Sequence, residues 1–285
     1  MICLSGGLED PNIASLYQVL EEKNALFYPF LVGEEHIPEL FWDLSADRLI
    51  VDGVEIRPTA LFIRQDVFAA LRHPTQHTLR RSQVWFEVLH GWALAHEEMI
   101  LLNRHHQRTN KLAVLVKAAQ LGLNPPYTVV SNQLPLLQKL DGEVYISKPV
   151  PGGDHTRLLV DALQDPTLLE IPTTVQPCLI QPEMRIYGIG GEWIAFWMQT
   201  ASLDYRVHQD VEVVQTEPPM EVVGKLAELM AFMRLDFAAA DLKTDPETGE
   251  LRFLEINSSP MFAKFDRASD FAVSKAIVQA LRHKK

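Results

Sequence analysis

The chain has 285 residues, 47% of them hydrophobic, and 26 Lys and Arg against 37 Asp and Glu leave a formal net charge of −11. That length fills one large or two ordinary domains. The acidic balance excludes nucleic-acid backbone binding as the main task, because such sites gather Lys and Arg to replace condensed counterions. Two cysteines, Cys3 and Cys178, make no disulfide framework. Nothing at Met1 reads as a charged segment followed by an apolar one, and no apolar run reaches the ~18 to 20 residues that cross a bilayer. The expectation is a cytoplasmic protein with no membrane span and no nucleic-acid partner.

In chain order, Ile2-Cys3-Leu4-Ser5 has the pattern of a short buried strand running into Gly6-Gly7, and Ile13, Leu16, Tyr17 and Leu20 follow at helical spacing. A helix start behind a glycine pair can hold an anion; an ordinary strand-to-helix turn has the same signature. Residues 27–31, 49–51, 54–56 and 60–63 are predicted strands, and 79–96 a long, largely buried helix that closes a first α/β domain. A strand at 99–102 and a polar loop at 103–106 lead to a helix over 112–121, with Thr109-Asn110 as its N-cap and Gly122 as its stop. Residues 144–149 form a strand, and 151–156 a loop containing Gly152-Gly153.

Two hairpins follow. Residues 185–189 turn at Gly190-Gly191 into 192–196, a two-residue hairpin signal; the same glycines make no dinucleotide fingerprint, which needs a following helix. After a helix over 222–233, residues 238–243 pair with 251–257. A last helix covers 271–281.

The second hairpin carries the strongest chemical signal. Glu255 and Asn257 are two apart on one strand and share a face. A loop over 246–250 places Asp241 opposite Glu255. Two carboxylates and an amide oxygen form a hard, oxygen-only set of the kind Mg²⁺ takes together with phosphate oxygens and waters, with Mn²⁺ as the second candidate; the absence of His and Cys argues against zinc. A polar, solvated hairpin face would have the same sequence. Lys148, ahead of the glycine loop, and Lys111, at a helix start, could neutralise phosphates, although a strand-end lysine is also commonly solvated. There is no G-x-x-x-x-G-K-[ST] and no H-R-D or D-F-G, so a P-loop enzyme and a protein kinase of the usual kind are excluded.

Lysine, strand lysine with a glycine loop, an arginine-bearing hairpin and then Asp … Glu-x-Asn-Ser-Ser-Pro, in that order, resemble the ATP-grasp superfamily. Within it the likeness is to the ligases that include glutathione synthase, the glutamate-adding ribosomal-protein ligases and the peptide maturases that close ester or amide rings. The resemblance covers nearly the whole chain and is most specific over 235–241 and 253–260. It implies an N-terminal α/β domain over 1–102 and a two-lobed ATP-grasp domain over 103–285, a mixed α/β and α+β fold.

Carried over by position, the resemblance makes Lys111 and Lys148 phosphate contacts and Gly152-Gly153 a covering loop. Gln176-Pro177-Cys178-Leu179 becomes the hinge that binds adenine, with Gln181 the competing position, and Glu183 the acid near the ribose. Arg185 and Arg206 face the γ-phosphate and acyl intermediate; they and Lys148 are the catalytic set, Arg206 also touching nucleotide. Asp241, Glu255 and Asn257 match the metal ligands. The family usually has an acid after the hinge glutamine where this chain has Pro177.

The resemblance implies an ATP- and Mg²⁺-dependent ligase that joins a carboxylate to an amine or hydroxyl through an acylphosphate, releasing ADP and phosphate, with a peptide or amino acid as substrate. A phosphotransferase or a non-catalytic nucleotide-binding protein would share the nucleotide residues. A homodimer is the default among soluble oligomers. Arg64-Gln65-Asp66, after a first-domain strand, is a candidate for substrate binding; Trp193, Phe196 and Trp197 are expected to pack the hairpin, and both thiols to be buried.

Overall fold

The computed structural model describes residues 1–106, 110–150, 156–165, 170–199 and 212–282. The first unit runs β1 (Ile2–Gly7), α1 (Pro11–Glu22), β2 (Phe27–Val32), β3 (Leu40–Asp43), β4 (Arg48–Val51), β5 (Val54–Glu55), β6 (Ala60–Ile63), α2 (Val67–Arg72), α3 (Gln76–Ala95) and β7 (Ile100–Leu101). Its main sheet has the order β2-β1-β6-β7, with all neighbours parallel. Gly6 and Gly7 belong to β1 and not to the loop after it. A Cβ on Gly7 would lie 2.3 Å from the Asp66 carboxyl carbon, so the strand needs glycine there for close approach.

A second sheet, ordered β10-β9-β11-β8, follows α4 (Lys111–Gln120) and comprises β8 (Val129–Ser131), β9 (Tyr145–Pro149), β10 (Arg157–Leu158) and β11 (Thr173–Pro177), with the short helices α5 (Leu134–Leu137) and α6 (Leu159–Ala162). The third sheet, ordered β14-β13-β12-β15-β16, is antiparallel throughout. Its strands are β12 (Ile180–Ile189), β13 (Glu192–Gln199), β14 (Glu212–Thr216), β15 (Phe237–Thr244) and β16 (Leu251–Asn257), with α7 (Met220–Met233), α8 (Ala263–Arg267) and α9 (Ala272–Ala280) packed around them. The turn between β12 and β13 is the expected two-residue one, with Gly190 and Gly191 both at positive φ (54° and 93°).

The period of two along the strands divides the core. Met184 and Ile186 of β12 and Ala238 and Ala240 of β15 pack with Val114 of α4 and Leu226 and Leu229 of α7. On the other face, Tyr187, Ile189, Phe237 and Ala239 join Leu4 of β1, Ile13 and Leu16 of α1, and Phe262, Val273 and Ile277 near the chain's end. One continuous core therefore spans the first and third sheets.

The α3 helix is less buried than its sequence suggests. Leu89 and Trp92 face the core, but Leu79, Val84 and Leu94 are exposed, because the helix lies on one sheet face and presents a single stripe to it. The strand β3 and the helix α8 fall in stretches where the sequence pattern indicated no element.

Candidate active site

The site lies on the third sheet, where one face changes from apolar to charged. Along β12 this face reads Ile189, Tyr187, Arg185, Glu183; along the paired β15 it reads Phe237, Ala239, Asp241, Lys243. The apolar halves are covered by α8 and α9 and the charged halves lie beyond them. Arg185 sits opposite Asp241 and donates to both its oxygens, Nε to Oδ1 at 2.6 Å and Nη2 to Oδ2 at 2.8 Å. The guanidinium also lies 5.2 Å from the Phe265 ring of α8.

Asp241 does face Glu255, by a route the simple loop count misses. Thr244 pairs with Leu251, so the loop covers residues 245–250, and a regular ladder would bring Leu254 opposite Asp241. A bulge between Asp241 and Leu242 takes up Leu254 and restores Glu255 to that place. The bulge thus re-aims two carboxylates onto one face. Asn257 completes the group: its amide nitrogen lies 3.2 Å from Glu255 Oε1 and 3.4 Å from Asp241 Oδ2. A half-turn of the amide presents oxygen to the same point. Among the described residues no group of three or more His, Cys, Asp and Glu is placed to hold a metal ion. A divalent ion here would rely on two carboxylates and one amide, a hard oxygen set that fits Mg²⁺ or Mn²⁺.

Cations already balance part of this charge. Lys111, the first residue of α4 behind the Asn110 N-cap, donates to Glu255 Oε2 at 2.9 Å. Burial opposes ionisation of Glu255, but Lys111 and the Asn257 amide outweigh it and hold its carboxyl below the ordinary range. Asp241 is pushed up by burial, which Arg185 opposes and the Glu255 charge reinforces. Burial and then the Asp241 charge push Glu183 up to about 7, against Lys243, Arg185 and Lys148. Burial is the first cause of both raised carboxyls, and Arg185, Lys111, Lys148 and Lys243 stand against Glu183, Asp241 and Glu255, so opposite charges crowd one low-dielectric place.

Lys148 on β9 donates to Gln176 Oε1 at 3.2 Å, and Gln176 Nε2 donates to Thr128 Oγ1 at 2.9 Å, so the side chain of Gln176 is held within the second sheet. Pro177 ends β11, and the Cys178 N–H is already given to Val144 O at 2.7 Å. Leu179 is buried; Cys178 is half-buried, unlike the fully buried Cys3. The side-chain oxygen of Gln181 is buried with no hydrogen-bond partner among the described residues. Gly152, Gly153 and Arg206 lie outside the described residues.

Arg64 is not a free substrate-binding group. It is buried and paired with Asp10, and it also donates to the backbone of residues 259 and 260. Phe196 packs the hairpin as expected, in edge contact with Tyr187 and Phe265. The sequence reading did not single out Asn12, Asn103 or Phe265. Apart from the contact of Asn12 with Asp10 at the start of its own helix, their partners lie more than a hundred residues away or on another element, and the sequence offers as a sign an asparagine directly after an apolar run, at Asn103.

No family model matches the sequence, and no curated protein matches it. Solved structures do resemble it. The ATP-grasp ligase PsnB, complexed with a phosphomimetic variant of its minimal precursor, Mg and ADP, is 23% identical with a TM-score of 0.75, over 99% of this chain and 97% of that one. The macrocyclase MdnC from Microcystis aeruginosa MRC, bound to its precursor peptide MdnA, is 19% identical with a TM-score of 0.73 over all of both chains. A RiPP-associated ATP-grasp ligase of Chryseobacterium gregarium, in complex with ADP and a leader and core peptide, is 18% identical with a TM-score of 0.72, over 99% and 96%. The chain has the ATP-grasp fold. No helix among its described residues is long and apolar enough to cross a membrane.

Proposed function

We propose that the chain is an ATP- and Mg²⁺-dependent ligase that activates a carboxylate as an acylphosphate and joins it to an amine or hydroxyl, with a peptide as substrate. The observation that carries this reading is the convergence of Asp241, Glu255 and Asn257 with Arg185 and Lys111 on one sheet face. The peptide assignment follows the neighbours of the same fold, which were solved with precursor peptides.

In the proposed reaction an oxygen of the substrate carboxylate attacks the γ-phosphorus, the bond to the β-phosphate oxygen breaks, and ADP leaves. The amine or hydroxyl then attacks the acyl carbon, gives up its proton, and expels phosphate. Little of this needs a covalent group from the protein; it needs fixed positive charge around crowded oxygens. Asp241, Glu255 and Asn257 would hold Mg²⁺, which supplies charge neutralisation at the phosphates. Lys111 and Lys148 contact phosphate, and Arg185 and Arg206 stabilise the transferring group. Gly152 and Gly153 would supply the loop that covers the phosphates and excludes water.

Adenine would meet the segment Gln176-Pro177-Cys178-Leu179. Pro177 has no N–H and that of Cys178 is already engaged, so Leu179 is the natural donor to the base; the unsatisfied oxygen of Gln181 is the alternative contact. Glu183 would take the acidic position near the ribose.

The test is incubation of the purified protein with ATP, Mg²⁺ and a cell extract, following ADP release and searching by mass spectrometry for ATP-dependent products. A species equal to two components less one water is the expected result. A component carrying an added phosphoryl group would replace the ligase reading with a phosphotransferase.

A further inference from the structure

The segment that follows the metal-binding candidates is held one residue at a time by side chains from elsewhere. Asn103 donates to Ser258 O at 2.9 Å. Arg64 Nη1 donates to Ser259 O at 3.4 Å, Ser259 Oγ at 3.3 Å and Pro260 O at 2.8 Å. Tyr187 donates its hydroxyl to Met261 O at 2.6 Å. The N–H groups of Phe262 and Ala263 both donate to Asn12 Oδ1, at 2.6 and 2.9 Å. Four side chains thus fix six consecutive residues that have no strand partner and only begin a helix at the end.

Asn103 has the most unusual geometry of the four. The β15–β16 ladder ends at the pair Ala239–Asn257, so no ladder pair ties Ser258, the residue after β16, to the neighbour strand. Across this gap the Asn103 amide acts as a substitute peptide group. Its Oδ1 accepts from Asp236 N at 2.8 Å and Phe237 N at 2.9 Å, while its Nδ2 donates to Phe237 O at 2.7 Å as well as to Ser258 O. Asn103 adopts a positive φ of 59°, and its own N–H donates to Asp236 Oδ2 at 3.0 Å. Asparagine tolerates that conformation better than other residues with a side chain.

We propose that Asn103, seconded by Arg64, is a positioning residue that extends the β15–β16 ladder by one side-chain amide and so fixes Asn257 against Asp241 and Glu255. The inference rests on the reading of those three as the metal site. Asn257 is the last residue of β16, and strand ends fray unless tied. Arg64 belongs to the first unit and Asn103 directly follows it, so the geometry of the metal-binding group depends on a part of the chain that supplies none of its ligands. Outer groups of this kind set ligand orientation, and their loss typically lowers metal affinity about 10- to 100-fold.

The test is Mn²⁺ binding to the whole chain in the presence of ADP, read by electron paramagnetic resonance of the free ion, alongside thermal unfolding. N103G is the informative variant, because glycine keeps the positive φ without strain and removes only the side-chain bonds. The expected result is a folded protein whose Mn²⁺ affinity falls about tenfold or more. An unchanged affinity in N103G, with binding abolished in the double variant D241N/E255Q, overturns the positioning role and leaves the metal reading intact. Unchanged affinity in D241N/E255Q overturns the metal reading and the inference together. If N103G does not fold, R64K replaces it: lysine keeps the charge beside Asp10 but not the fork that reaches residues 259 and 260. Weakened Mn²⁺ binding in R64K supports the proposal, and wild-type binding overturns it.

Discussion

Two buried arginine–aspartate pairs, Arg64–Asp10 in the first unit and Arg185–Asp241 in the third sheet, match in burial and nearly in length, at 2.9 and 2.6 Å. They differ in what surrounds them. Asp10 gives one oxygen to Arg64 and the other to the N–H and side-chain amide of Asn12, while Arg64 donates its remaining bonds to carbonyl and hydroxyl oxygens. Each donor there meets a neutral or opposite partner. Around Arg185–Asp241 stand Glu183, Glu255 and the amide of Asn257, and two of the three carboxyls are raised. The first network is closed by neutral partners; the second is open, three carboxyls set among Arg185, Lys111, Lys148 and Lys243, and it is there that the proposed divalent site lies.

This contrast can be broken by experiment, and the largest effect belongs to the open network. D241N/E255Q should reduce Mg²⁺-dependent ADP release to background while the chain stays folded; undiminished release would remove the metal assignment. Next comes R64A, which strands a buried carboxylate and should cost about 3–5 kcal/mol in chemical denaturation. R185A sharpens the comparison, since Mg²⁺ with ADP should raise its unfolding midpoint more than that of the wild type, whereas R64A should show no such recovery. Equal responses in the two variants would mean that the pairs are equivalent.

A smaller effect concerns pH. Burial, and then the Asp241 charge, push the Glu183 carboxyl up to about 7 from an ordinary 4.5, so the stability its neutral form contributes should be fully present below pH 4.5 and lost as pH rises through about 7. E183Q should flatten that part of the stability curve, and a curve still falling across the same window would assign it to other groups. The smallest change is expected at the surface. The Lys225–Glu221 pair of α7 is solvated at its glutamate end, and K225Q should leave the unfolding midpoint where it is.

The sequence made the sheets legible wherever apolar residues came in runs, as in β1 and β6, or in alternation around a glycine turn, as in β12 and β13. It made the Asp241–Glu255–Asn257 face legible because a two-residue spacing on a strand is a geometric statement. The pairing itself came out right through two offsets that cancel, a longer loop and a bulge at Leu254, and neither has a local signature. Asn12, Arg64 and Asn103 were opaque for a different reason. A single polar residue has no period, and its meaning lies in distant partners: Arg64 meets Asp10 across 54 residues, Asn103 meets Asp236 across 133 and Asn12 meets Ala263 across 251.

The core shared by α1 and α9 bears on how the chain is made. Leu4, Ile13 and Leu16 pack against Val273, Ile277 and Leu281, so the first helix leaves the ribosome long before the surface that covers it exists. Until α9 is synthesised, one face of the opening sheet is exposed apolar surface, open to chaperones or to a wrong partner. The early chain would therefore wait, partly folded, for its own last helix.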